Sequence, residues 1–599
     1  MATYKPADIP ENPESELFVN IAESLSDAEL SNLAEEVLEG IENDKGSLFT
    51  LEQTRNEYNS LYNMQYKKKD SPWQGAANVL LPTITAACTN FWARAGINLF
   101  PADNKIINVL PVDNTNDSMQ RAKRVKTHMN WQLMTMPDFF DGFGKTLIMN
   151  ARDGYAFRKT YWDSNLNKVM SVPVLPQNFI VNYYTKSLTD SMRYTQVLEM
   201  SVNEIKLKAK QGIFIDCPDI TEGSTSEVEI DSTTEQNKHA AGQDQPADVD
   251  YTTPRLVYEC HTYLFIGDDE IRRPFIVTID KDSRKILRII DRTNPDPDAD
   301  QPLNYFTNYT FISNPDSIFG YGFGSLLLGI TSTMNTSINQ MLDAATANNM
   351  KGGWVLKGSQ MNRGDQHFSM GQFKQVSVRS DDIRKAILPL EFSPPSQVLL
   401  NLLSFMQGQV DRLTTVTEIF SGGMPRSDTT ATSSTIAQEE GAKVFTMIQK
   451  GIHRSFKDEL KKMYDLNSIF LDQTEYINVI SGDNIETMLI SIDDYKAPLD
   501  IVPVSDPSII SQGEIAQKAE YLASVVERNP FLAQDADAQK LVMQRRLEAN
   551  MINQADIDAL SQIMDIQQQT QEQQQLQQLQ NKEQQLIEQQ QGLEQQLNQ

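Results

Sequence analysis

Residues 320–353 read GYGFGSLLLGITSTMNTSINQMLDAATANNMKGG. Leu327, Ile330, Met334, Ile338, Met341, Leu342 and Ala345 recur at helical spacing, so one continuous apolar stripe runs along a helix from about Ser325 to Asn349. Asn348, Asn349, Gly352 and Gly353 stop it. Ahead of it stand Gly320, Gly322 and Gly324 in a GxGxG arrangement. A dinucleotide fingerprint needs GxGxxG and an acidic residue about 20 positions on. Neither is present, so the glycines are read as a flexible joint leading into the helix.

Working outward, the segment from Trp354 to Glu391 has a compact β-like pattern. Pro394-Pro395-Ser396 opens a second long helix to about Phe420, with Leu399, Leu402, Leu403, Met406, Val410, Leu413 and Val416 on its stripe. Ser421-Gly422-Gly423-Met424-Pro425 breaks that helix, and a polar loop runs from Arg426 to Ser434. Thr435-Ile436-Ala437-Gln438 has the pattern of a capping box before a long helix to about Phe470. Gly441 and Gly451 inside it predict kinks. A short β region over Asn478–Pro503 follows, and the chain is helical from Ile509. From residue 561 about half the residues are glutamine, with Leu579, Leu586 and Leu593 seven apart and Leu576 and Leu597 in the companion register. Such a weakened heptad packs only among like neighbours; the alternative is a disordered glutamine-rich tail.

Toward the N-terminus, residues from about 10 to 66 read as acidic amphipathic helices, with a capping box at Ser26-Asp27-Ala28-Glu29 and Leu30, Leu33, Val37 and Ile41 on one face. Ala76 to Phe100 is apolar, and Met119 to Arg152 has helical spacing. The pattern changes at Thr160. Val169–Val174 and Phe179–Val181 suit short strands, and Ser201 caps a short helix. Residues from about 216 to 253 are acidic and poor in apolar positions, the pattern of a long mobile surface insertion. Leu256–Ile266, Pro274–Ile279 and Lys285–Ile290 form the clearest β region. The fold class is α+β and predominantly helical.

The 599 residues include 80 acidic and 53 basic ones, a net charge of −27. That excess argues against a conventional duplex-clamping protein, since phosphate binding needs local Lys/Arg density. It does not exclude DNA passing by, since a negative wall repels the phosphate backbone. Cys88, Cys217 and Cys260 lie far apart without CxxC or zinc spacing, as reduced cytosolic thiols do. The polar stretch Met1–Pro10 has no signal-peptide pattern. No apolar run approaches the roughly 20 residues of a membrane span.

Motifs for catalysis are incomplete. Gly144-Lys145-Thr146 matches the end of a phosphate loop, but Phe139 stands where the first glycine belongs and a helical pattern precedes it. The five histidines, His128, His239, His261, His367 and His453, show neither HExxH nor HxH spacing, and there is no GxSxG elbow. The acidic pairs Asp268-Asp269, Asp381-Asp382 and Asp493-Asp494 point apart on any regular backbone, whereas metal sites need converging carboxylates. The expectation is no catalytic residue, no metal and no cofactor. Lys351, Lys357, Arg363, Lys374, Arg379, Arg384 and Lys385 all fall between the two long helices, as an ordinary charged surface or as a docking face for an acidic partner or DNA phosphate.

The order helix, compact β segment, helix, glycine-broken loop, long helix over residues 320–470 resembles the portal proteins of tailed bacteriophages, especially the head-to-tail connectors of short-tailed phages. Four further segments match in order: Trp73-Gln74-Gly75-Ala76-Ala77-Asn78-Val79-Leu80-Leu81-Pro82, Leu175-Pro176-Gln177-Asn178-Phe179, Asn314-Pro315-Asp316-Ser317-Ile318-Phe319-Gly320-Tyr321-Gly322, and Val504-Ser505-Asp506-Pro507. Together the match spans about residues 50 to 560.

The resemblance implies a non-enzymatic homo-oligomeric ring of about twelve subunits at one capsid vertex. It implies a channel for double-stranded DNA during packaging, retention and ejection. The implied partners are the terminase large subunit, the tail adaptor, and the major capsid and scaffold proteins, with no membrane insertion. The implied location is the virion, after assembly in the host cytoplasm. Mapped onto the chain, an acidic arm occupies 1–49 and a wing 50–320 plus 435–505. Stem helices occupy 321–350 and 396–420, around a clip at 351–395 whose seven cations form the docking surface. The tunnel loop is 421–434, with Ser421, Gly422, Gly423, Met424, Pro425 and Arg426 at the channel constriction. The crown is 506–560, and a C-terminal helical barrel spans 561–599. The wing's acidic insertion has no counterpart in the resemblance. Two rival classes remain, a DNA-packaging nuclease or ATPase and an internal coiled-coil scaffold. The incomplete phosphate loop opposes the first and the extensive β region the second.

Overall fold

The computed structural model describes residues 19–65, 73, 75–100, 106–112, 115–163, 166–218, 220, 232–244, 252–266, 271–294, 301–349, 353–355, 387–389, 394–414, 431–471, 474–481, 484–496, 499–504, 512–528 and 536–549. Elements are numbered in chain order.

Two antiparallel sheets form the β part. The larger has the order β4-β5-β6-β7-β8, from Phe179–Val181, Arg193–Met200, Arg255–Leu264, Arg273–Asp280 and Ile286–Asp291. The smaller is β3-β2-β9, from Lys168–Val174, Tyr155–Asp163 and Phe306–Thr310. One face of the larger sheet is covered by helix α1 (Asp27–Ser47). Ala34, Val37, Leu38 and Ile41 pack there on Cys260, Val277, Ile279 and Ile289. The Ser26–Glu29 capping box is present, with Ser26 N–H donating to Glu29 Oε2 at 2.9 Å. Asn20 caps the edge of β8: its amide donates to Leu287 O and its carbonyl accepts from Ile289 N–H.

The main core is helical. It joins α2 (Phe49–Tyr62), α3 (Thr83–Leu99), α4 (Asn116–Thr135), α5 (Phe139–Asp153), α8 (Phe323–Asn349) and α10 (Ala431–Phe470) around Phe91, Phe143, Leu327, Ile452, Phe456 and Leu460. The helix expected over Met119–Arg152 is two helices. Met136 is extended, Pro137 follows, and Asp138 takes φ 52° before α5 begins. Proline lacks the N–H and pushes its predecessor out of the helical region, so the break is local chemistry. α10 begins at Ala431, so Thr435 lies inside the helix and not at its cap.

Strand β1 (Ile107–Pro111) pairs with β16 (Leu499–Pro503), and β14 (Thr474–Ser481) with β15 (Asn484–Ser491). Short strands β10 (Ile312–Asn314) and β11 (Ser317–Tyr321) lead into α8. Between α8 and α9 (Gln397–Leu413), β12 (Gly353–Val355) pairs with β13 (Ile387–Pro389), in keeping with the expected β segment. α9 ends at Leu413 with Thr414 as its cap, whereas the sequence pattern ran to Phe420; residues 415–420 lie outside the described residues. Helices α11 (Gln512–Arg528) and α12 (Ala536–Ala549) pack through Ala523, Val526 and Val542.

The acidic segment 216–253 is not wholly a surface excursion. Ile220 is buried with Phe214 beside helix α6 (Val202–Lys210). Helix α7 (Ser232–Ala240) docks on α2 almost entirely through polar side chains. Asn59 donates to Gln236 and Asn237, Asn63 donates to Asn237, and Gln65 donates to the Gln236 carbonyl. Carboxamide-to-carboxamide docking has no hydrophobic periodicity, so the pattern reading had no means of finding it.

The GxGxG cluster is likewise not a flexible joint. A Cβ on Gly320 would stand 2.6 Å from the carbonyl oxygens of both Gly154 and Ile312. One on Gly322 would meet Gly154 N and lie 2.6 Å from Arg152 O. The end of α5 and the start of α8 therefore touch backbone to backbone, which only glycine permits. Gly329, seven residues on in α8, has open space around its Cβ position. Gly322→Ala is expected to abolish soluble, folded chain. Gly329→Ala should raise the stability of the isolated chain by about 0.5–1 kcal/mol. Thermal unfolding of the two variants beside the unaltered chain checks both.

Candidate functional site

Helices α8 and α9 pack side by side, with Leu399, Leu403, Met406 and Val410 of α9 at helical spacing. Leu403, Met406 and Val410 join the main core. On another side of α8 lies the extended segment 76–82. Ala77 N–H donates to Asp343 Oδ1 at 2.7 Å, Val79 N–H to Asn339 Oδ1 at 2.6 Å and Leu81 N–H to Asn335 Oδ1 at 2.9 Å. Asn339 Nδ2 also donates to Val79 O at 3.1 Å. The three acceptors are four residues apart on the helix, about 6.0 Å of rise. The three donors are two residues apart on the extended chain, about 6.6 Å. The near-match in repeat lets side chains of a helix pair with a backbone as a neighbouring strand would. All three acceptors are buried, so the ladder fixes both the register and the direction of segment 76–82 against α8.

The outward surfaces of the two helices differ from the rest of this acidic molecule. Asp343 is the one charged residue of α8, and it is engaged in the ladder. Ser332, Thr333, Thr336 and Gln340 are exposed, giving an uncharged hydroxyl and amide face. α9 carries a second apolar stripe at i, i+4, i+7: Val398 is 71% exposed, Leu402 36% and Phe405 63%. Leu400 and Leu413 are exposed beside it. The sequence reading placed Leu402 on the buried stripe; packing turns it outward. A stripe of this kind, left open along a helix, suits burial by another protein surface.

Several residues of the motifs weighed for catalysis have structural partners. Thr146 of Gly144-Lys145-Thr146 is buried inside α5, where its hydroxyl donates to Gly142 O and accepts from Arg158. His128 is buried against the Tyr495 hydroxyl. Asp494 pairs with Arg124, and Asp493 is solvent-facing. Asp268-Asp269 and Asp381-Asp382 lie outside the described residues. No group of three or more His, Cys, Asp or Glu able to hold a metal occurs among the described residues. No helix among them is long and apolar enough to cross a membrane. Burial pushes the Cys88 and Cys260 thiols up to about 12, away from the thiolate form that a nucleophile needs.

The site residues named from the sequence fall outside the described residues. These are Ser421 to Arg426, the cations Lys351, Lys357, Arg363, Lys374, Arg379, Arg384 and Lys385, and the heptad leucines Leu576, Leu579, Leu586, Leu593 and Leu597. What the sequence reading missed is the role of Asn335, Asn339 and Asp343. Their i, i+4, i+8 spacing was visible, as was the Ala76–Leu81 segment they bind, but nothing local linked the two.

Asn339→Ala should leave Val79 N–H without a partner, a loss of about 1–3 kcal/mol for that contact. The expected readout is faster amide hydrogen exchange at Val79, while Asp343→Asn, which keeps an acceptor oxygen, leaves exchange at Ala77 nearly unchanged.

A family model described as "Phage SU10 portal protein" matches residues 164–596, well over half of the chain. No curated protein matches the chain.

Proposed function

Because the chain belongs to the phage SU10 portal protein family, we propose that it forms the ring at one vertex of a tailed-phage capsid, a closed assembly of about twelve copies. DNA enters through it during packaging, is retained by it, and leaves through it at infection. Portal proteins are structural components of the virion and not enzymes.

The observation that carries the ring is the open Val398–Leu402–Phe405 stripe on α9. In this reading α8 and α9 are the stem helices, and each α9 stripe is covered by the neighbouring subunit. Full burial of such side chains contributes about 1.5–3 kcal/mol apiece, and a closed ring repeats that gain at every interface. The uncharged outer face of α8 offers phosphate neither attraction nor strong repulsion. The net charge of −27 per subunit, multiplied around a ring, keeps DNA from adhering elsewhere.

The finer assignments continue from there. Residues 351–395 form the clip, and its cations Lys374, Arg379 and Arg384 take part in docking the terminase large subunit and later the tail adaptor. Residues 421–434 reach the channel, where glycine and serine yield to moving DNA; residues 431–434, already helical, form the root of that loop. The wing comprises 50–320 and 435–505, the crown 506–560, and the glutamine-rich end a helical barrel. Major capsid and scaffold proteins surround the ring in the host cytoplasm where it assembles.

Two outcomes test this. Negative-stain images of the purified chain should show rings with a central hole of about duplex width, whereas Val398→Asp with Phe405→Glu should give folded monomers. Rings that persist unchanged in that double variant would remove α9 from the interface. Gly422→Ala with Gly423→Ala should keep rings intact yet lower packaged or retained DNA in assembled particles, and normal packaging would remove residues 421–434 from the channel.

A further inference from the structure

The face of the five-stranded sheet turned away from α1 carries a polar row. Strand register sets Gln196 opposite Glu259, Glu259 opposite Thr278, and Thr278 opposite Arg288, on the four neighbouring strands β5, β6, β7 and β8. All four line a cavity of about 400 Å³ between the two sheets. Tyr161, Trp162, Tyr305 and Phe470 contribute aromatic walls to it.

Several charges around this cavity pair off, while Glu199 and Arg288, which also line it, make no ion pair among the described residues. Glu259 accepts from Lys159 Nζ, which reaches across from β2, at 2.6 and 2.8 Å, and is 3.1 Å from His261 Nε2. Burial works against its charge, but Lys159 and His261 prevail and hold the carboxyl well below the usual range. Burial pushes His261 down to about 4 despite Glu259, so the ring is neutral and donates its Nε2–H. At the rim, Asp291 holds Arg273 and Glu204 holds Lys208. The Arg288 side chain makes no hydrogen bond or ion pair among the described residues, and its Nε is buried. The Gln196 carbonyl in the same row is also buried without a partner. Burial lowers the pKa of Arg288, with Glu259 and Tyr305 pulling the other way.

Glu259 attracts Arg288 through space, but no acceptor in the described residues hydrogen-bonds the guanidinium, whose Nε is buried. A carboxylate matches a guanidinium fork in two parallel hydrogen bonds. The aromatic walls suit a flat apolar body, and the volume lies within the range of small-molecule clefts. We propose that this cavity is a binding site for a small organic carboxylate on a flat apolar body, seated on Arg288. The site lies apart from the α8 ladder and the α9 stripe, and it stands or falls independently of the ring.

The test is calorimetric titration of the full chain with benzoate and, separately, with benzamide, its uncharged near-isostere. The expected result is one saturable benzoate site per chain, with benzamide at least about tenfold weaker, or 1.4 kcal/mol. Arg288→Gln should weaken benzoate by a similar factor while leaving benzamide unchanged. Equal affinity for the two probes, absence of saturation, or full benzoate affinity in Arg288→Gln would each overturn the proposal. If Arg288→Gln fails to fold, the comparison of the two probes on the unaltered chain decides alone.

Discussion

The Arg158–Glu459 ion pair holds the molecule together at the junction of its sheet and helical parts. Both side chains are fully buried. Arg158 Nε lies 3.1 Å from each Glu459 oxygen, Nη1 donates to Thr146 Oγ1, and Nη2 donates to Ser171 O and Oγ. Ser171 and Tyr309 hydroxyls donate to the carboxylate, and the guanidinium lies over Phe143. One cluster thus joins β2, β3, β9, α5 and α10. Removing either charge strands the other in the core, a loss of about 3–5 kcal/mol. Its worth is in geometry, because only one rotation and one register of α10 satisfy every donor. Lys462, one turn further on, repeats the constraint by donating to Phe306 O at 2.7 Å and Thr307 Oγ1 at 2.9 Å.

With α10 placed, helices α8 and α9 follow. The strand that carries Arg158 begins at Tyr155, directly after Gly154, and Gly154 touches Gly320 and Gly322 at the entrance to α8. A sheet anchored by a buried ion pair therefore aims α8 through a contact that tolerates no side chain. The Asn335–Asn339–Asp343 ladder then fastens segment 76–82 along α8, and α9 packs on another side. Movement of α8 against the rest of the molecule would have to break either the glycine contact or the ladder. The stripe on α9 is thus carried against a helix fixed at both the glycine contact and the ladder.

Satisfied and unsatisfied polar groups divide the interior into two kinds of place. Around Glu459 and Asp494, hydrogen bonds are complete, and these clusters specify position. Around Arg288 they are incomplete, within a cavity that has room for a partner. The difference between a structural polar cluster and a candidate binding site lies in that count.

The sequence by itself determined the local elements and their order. Apolar repeats at helical spacing marked α8 and α9, apolar runs marked β6 to β8, and Ser26 and Ser201 marked helix starts, because each signal lies within one or two turns of chain. Pro137 was equally local, though the helical spacing around it hid the break. The order of elements also carried the family, since order is a property of the chain. Tertiary structure alone decided which groups meet across hundreds of residues: Arg158 with Glu459, Val79 with Asn339, Gly154 with Gly322. It also turned Gly320 and Gly322 from an apparent hinge into a fixed contact, and it docked α7 on α2 through carboxamides. These pairings depend on burial and on distance through space. A residue's neighbours in sequence reveal neither, so a buried polar side chain looks, in the chain, the same as one that faces water.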